Sequence, residues 1–145
     1  MDPKILAGKK VIKRFPDFIF MSLTPGLTFR EKYVVTSEYT AKHLGSGSVE
    51  VLATPAMILF MEHTCRVNID NFLLENRTTV GTHVDVYHVK PAPINSEVMI
   101  EAKLLQVDGR KLIFYVAAYW GDKLIGYGIH ERYIVDKEEF AQKIK

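Results

Sequence analysis

Cys65 is the only thiol in this 145-residue chain. No intrachain disulfide and no multi-cysteine zinc site can be built from it, and such scarcity suits a reducing compartment, so a cytoplasmic location is expected. Excess charge of one sign is also lacking: 19 basic and 17 acidic residues leave a formal net charge of +2, spread along the whole length. No basic face stands out, so nucleic acid is not an expected partner, whereas small anionic ligands remain open. The N-terminal segment places basic residues before an apolar patch, but Pro16 and Asp17 interrupt it. The remaining F-I-F-M-S-L run is too short for a signal peptide and far below the ~20 residues of a membrane span, so no membrane association is expected.

What is present is the composition of one soluble globular domain, 48% hydrophobic and 25% charged, enough to bury a real core. Residues 1–24 read as an N-terminal extension, with Phe18 and Phe20 as candidates for docking it, and residues 25–145 as a single domain. After the Pro25-Gly26 turn, L-T-F-R-E-K-Y-V-V-T alternates as a partly buried strand does. A short helical turn and the flexible Gly45-Ser46-Gly47-Ser48 loop follow. Thr54 then suits an N-cap and Pro55 the first helical position, which predicts a helix from Pro55 to about Leu74. From Thr78 the pattern is all strand, with four long runs. Asp108-Gly109 and Gly121-Asp122 mark hairpin turns, and Pro91 to Asn95 a longer connection. The tail predicts a short terminal helix.

One feature of the helix directs the search for function. Glu62 closes six consecutive apolar residues, Ala56 to Met61, and a helix apolar all round is a buried helix. An ionised carboxylate there costs several kcal/mol unless paired, on the order usual for buried charges. Two readings stand side by side. Arg66, four residues on, offers a structural ion pair. Alternatively, a carboxylate in an apolar site is a usable base or nucleophile. Thr54, in turn, either caps the helix or presents its hydroxyl beside the free N–H groups and positive dipole end, where an oxyanion is stabilised. Pro55 has no N–H, so a backbone donor must come from Ala56 or beyond.

The following strand carries two histidines on opposite faces, His83 with Asp85 and Tyr87, His88 with Val84 and Val86. They cannot share a metal, and no metal site is expected. Gly81 interrupts the strand, which predicts a bulge or a close approach. Gly128, His130 and Arg132 share one face of the last strand, where a charged rim or subunit contact is the plain expectation. Cys65 reads as core packing.

One strand, one long apolar helix and four antiparallel strands make an α+β domain whose five-stranded sheet wraps a central helix, the layout of the hot-dog fold. One side of the helix meets the sheet; the rest needs loops or a second copy, so a homodimer is expected, with pairing of dimers into tetramers left open. The order T-P-A-M-I-L-F-M-E, G-T-H-V-D-V-Y-H and G-I-H-E-R-Y-I-V resembles the fluoroacetyl-CoA thioesterase branch of the hot-dog thioesterases, over about residues 30 to 140. The resemblance implies a catalytic set of Thr54, Glu62 and His88, with Gly81 and Arg132 as candidates for substrate contact. It implies hydrolysis of a small or medium acyl-CoA without metal or cofactor, CoA being part of the substrate. Aromatic lid residues that select the fluorinated acyl group in that branch have no counterpart in G-S-G-S-V-E-V-L-A, so that specificity does not carry over. The alternatives are a non-catalytic acyl-CoA-binding or sensing module and a hot-dog dehydratase, whose Asp/His helix signature is not found.

Overall fold

Residues 22–145 are described by the computed structural model; the expected docking of Phe18 and Phe20 lies outside them. Five strands, β1 (Thr28–Val34), β2 (Arg77–His88), β3 (Glu97–Asp108), β4 (Lys111–Trp120) and β5 (Lys123–Asp136), form one sheet. Its order is β1-β3-β4-β5-β2, and every pairing is antiparallel. The helices are α1 (Ala41–Leu44), α2 (Thr54–Asp70) and α3 (Lys137–Lys143). The hairpins turn where expected, with Gly109 and Gly121 both at φ 61°, a left-handed conformation that glycine adopts without a Cβ penalty.

The sheet wraps α2. Met57, Phe60, Met61, Cys65 and Ile69 on the helix are buried, and so are the inward residues of the central strands, among them Ile100, Leu104, Leu112, Phe114 and Val116. Each such side chain contributes roughly 1.5–3 kcal/mol by leaving water, which makes this interface the main support of the fold. Thr64 is buried within it yet satisfied, donating to the Phe60 carbonyl at 2.8 Å and accepting from the Tyr33 hydroxyl at 2.9 Å.

Two details of α2 depart from expectation. It ends at Asp70 rather than near Leu74. Asp70 is held by Arg66 (3.0 Å) and by Thr78 of β2 (2.8 Å), and Phe72 turns back to pack edge-on against Phe29 of β1. Nor is the helix covered on all sides by its own chain: Thr54, Pro55, Leu59, His63 and Arg66 are exposed. These form a stripe that runs between the β2 side, where Thr54 meets His88, and the β1 side, where His63 meets Tyr33.

Candidate active site

Thr54 is not the N-cap. Ala53 holds that position, and its carbonyl takes the Met57 N–H at 3.0 Å. A capping alanine forgoes about 1 kcal/mol relative to serine, threonine or aspartate. The arrangement frees the Thr54 hydroxyl, whose Oγ1 lies 2.8 Å from Nδ1 of His88 at the end of β2. His88 is half-buried, and burial pulls its pKa below the ordinary imidazole value, opposed by the Lys90 backbone. Its ring is therefore neutral at physiological pH, and its buried Nε2 has no hydrogen-bond partner among the described residues. A neutral imidazole against a hydroxyl at a helix start is an arrangement for moving a proton.

Glu62 lies two turns further along the same stripe, about 12 Å along the axis at 1.5 Å per residue. Its charge partner is Arg132, with Oε2 3.6 Å from Nη1. The anticipated Arg66 pairing is absent, because Arg66 pairs with Asp70. Nor is Glu62 fully buried: its side chain is 38% exposed while that of Arg132 is 5% exposed. The carboxylate thus has a protein-facing oxygen next to a guanidinium and an open side toward the seam between α2 and β2.

A bulge in β2 makes this approach possible. Gly81 pairs with Arg132 and His83 with Glu131, so Thr82 is the extra residue and the register shifts there. Strict alternation would put Gly81 and His88 on opposite faces, seven residues apart. The bulge changes the parity and places both toward the helix. A Cβ on Gly81 would collide with Glu62 Oε2 and come within 3.3 Å of Arg132 Nη1. Glycine at 81 is a consequence of the carboxylate's position.

Of the anticipated site residues, Thr54 and His88 form one cluster, and Glu62, Gly81 and Arg132 a second on the same seam. No hydrogen bond joins Glu62 to Thr54 or His88 among the described residues. The expectation of a charged rim on β5 is overturned: His130 is 1% and Arg132 4% exposed. Two further residues belong to the second cluster. Thr79 accepts from Arg132 Nε at 2.7 Å, and His130 Nε2 lies 3.1 Å from Arg132 Nη1. The alternation of G-I-H-E-R placed His130 beside Arg132, but nothing in the sequence linked either to Thr79. His83 and Asp85 are exposed on the other side of the bulge. Cys65 is buried, and burial pushes its thiol up to about 12, as core packing requires. No group of three His, Cys, Asp or Glu side chains converges as a metal site among the described residues. None of the described helices is long and apolar enough to cross a membrane.

A sheet wrapped round one long helix is the hot-dog layout, and a hydroxyl, an imidazole and a carboxylate lie along its helix-strand seam. The fluoroacetyl-CoA-specific thioesterase family matches residues 35–138, and the chain belongs to it. The fluoroacetyl-CoA thioesterase of Streptantibioticus cattleyicolor is 32% identical over 126 residues, covering 83% of this chain and 91% of that protein. A variant fluoroacetyl-CoA-specific thioesterase solved with fluoroacetate and CoA superposes with a TM-score of 0.77 at 31% identity, covering 81% of this chain and 99% of that one. A thioesterase superfamily member from Thermus thermophilus gives 0.78 at 28% identity, covering 86% and 93% respectively.

Proposed function

We propose that this thioester hydrolase cleaves small or medium acyl-CoA thioesters, with Thr54, Glu62 and His88 as its catalytic residues. The observation that carries the assignment is the Thr54–His88 hydrogen bond of 2.8 Å at the uncapped start of α2. With Ala53 as the cap, Thr54 is the first helical residue, so its backbone N–H joins that of Ala56 and the Thr54 hydroxyl in polarising the thioester carbonyl. Glu62 attacks that carbonyl or activates water against it. Neutral His88 takes the proton released by the attacking water and returns it to the departing CoA thiolate; where Glu62 itself attacks, water supplies that proton and hydrolyses the acyl-glutamate.

Two features support a homodimer. β2 is an edge strand, paired on one side only, with β5, and exposes Val84 and Tyr87; the seam beside it is uncovered by its own chain. Glu62 is too far along the helix to meet Thr54 and His88 directly, so a site completed across two copies accounts for both clusters. The loop before α2, residues 45–50, is exposed and contributes no aromatic side chain. Selectivity for a fluorinated acyl group is therefore not expected.

The test is CoA release from acetyl-, butyryl-, hexanoyl-, benzoyl- and fluoroacetyl-CoA. Turnover of the unfluorinated short and medium esters, with no large preference for fluoroacetyl-CoA, is the expected result. Binding of these esters without turnover would make the protein an acyl-CoA sensor instead.

A further inference from the structure

Thr79 and His130 take no part in the steps above, yet both are committed to Arg132. The guanidinium donates from Nε to the Thr79 hydroxyl at 2.7 Å and from Nη2 to the Thr79 carbonyl at 2.9 Å. Nη1 lies 3.1 Å from His130 Nε2 and 3.6 Å from Glu62 Oε2. With Arg132 only 4% exposed, its planar fork is enclosed on every side but the one facing Glu62. That leaves no free pair of donors for an acyl group or a CoA phosphate.

The tautomer of His130 follows from its partners. Nδ1 lies 2.8 Å from the His83 carbonyl, which only accepts, so Nδ1 carries the proton. In the neutral ring Nε2 is then bare and accepts from Arg132. An imidazolium would set N–H against N–H beside a guanidinium. The His83 carbonyl follows directly on the Thr82 bulge, so one backbone irregularity admits Glu62 at Gly81 and orients the histidine behind it.

We infer that Thr79 and His130 are positioning residues that aim Arg132 at Glu62, and that Arg132 orients this carboxylate instead of contacting substrate. The inference rests on Glu62 being the catalytic carboxylate. Burial holds His130 below the ordinary imidazole value, the His83 carbonyl and Glu62 opposing it and Arg132 reinforcing it. Around Arg132 itself the charged or titratable neighbours are Cys65, Glu62, Asp70 and Arg66. The neutral acceptor form of His130 is thus the one present at neutral pH.

The experiment compares His130→Leu and His130→Gln with wild type on the fastest ester among acetyl-, butyryl- and benzoyl-CoA, each also in a Glu62→Gln background. His130→Leu should lower kcat about tenfold with KM within twofold, and His130→Gln, which keeps a neutral acceptor, should recover most of it. In the Glu62→Gln background His130→Leu should have no further effect. An unchanged kcat in His130→Leu, or a raised KM alone, overturns the inference while leaving the catalytic role of Glu62 in place. Should His130→Leu fail to fold, a His130→Gln enzyme as impaired as Arg132→Ala overturns it equally. A fully active Glu62→Gln enzyme overturns the underlying reading as well.

Discussion

Thr54 Oγ1 and His88 Nδ1 lie 2.8 Å apart, joining the first turn of α2 to the last residue of β2. This bond ties the hydroxyl to the imidazole in place of a helix cap. Thr54→Ala should therefore lower kcat by about a hundredfold, the order seen when one oxyanion donor is removed. Because no capping bond is lost, stability should change little. Thr54→Ser, which keeps the hydroxyl, should retain most of the activity. Steady-state kinetics beside thermal melts check both statements.

Gly81 and Gly126 predict opposite consequences for the same substitution. A Cβ at 81 meets the far end of the Glu62 side chain, which can swing away, whereas at 126 it meets Met57 and, at 2.9 Å, the Tyr87 carbonyl of the backbone. Gly81→Ala should leave unfolding nearly unchanged and lower kcat on the order of tenfold or more by displacing the carboxylate. Gly126→Ala should cost about 1–3 kcal/mol by overpacking. Denaturant titration and kinetics on the pair separate the two.

Arg66→Ala tests the charge pairing. Arg66 is paired with Asp70 on the exposed side of α2, so its loss should cost no more than about 1 kcal/mol and leave turnover intact. A large loss of activity would mean that Glu62 depends on Arg66 after all.

Protonation should weaken the fold on the acid side. His88 and His130 both sit below the ordinary value of 6.5, burial being the main cause in each. Unfolded, they take up protons near 6.5, so between the folded and unfolded values the unfolded chain binds more. Stability is then fully present above that window and falls as pH drops through it. The Tm should be lower at pH 5.5 than at pH 7.5, and His130→Gln should narrow the difference. Turnover that needs neutral His88 as base should lose activity only below the ordinary imidazole pKa.

Much of this was legible in the residues. Strand alternation, the glycine turns and the apolar run of α2 gave the element order, because each is a local pattern with a local cause. Glu62 and Thr54 were candidates through chemistry placed against an apolar helix, whereas His88 was singled out only by the resemblance to the family. The partner of Glu62 was not, since Arg66 and Arg132 compete on equal terms until the sheet register is known. The parity change at Thr82 was equally hidden: Gly81 signals a bulge, but only the pairing of Gly81 with Arg132 and His83 with Glu131 shows which face the glycine takes. Thr79 escaped notice for the same reason, and His130, though placed on one face with Arg132, was read as a rim residue, their roles being set by contacts across strands.

The central claim is that Glu62 acts on the thioester. Its most direct test is the rate of CoA release by Glu62→Gln on the best wild-type substrate, alongside a melting curve. Loss of about a hundredfold or more in kcat, the usual order for removing a catalytic base or nucleophile, in a variant that still melts cooperatively is the predicted result. Wild-type kcat in the variant would contradict it and leave Glu62 as the counter-charge of a buried arginine.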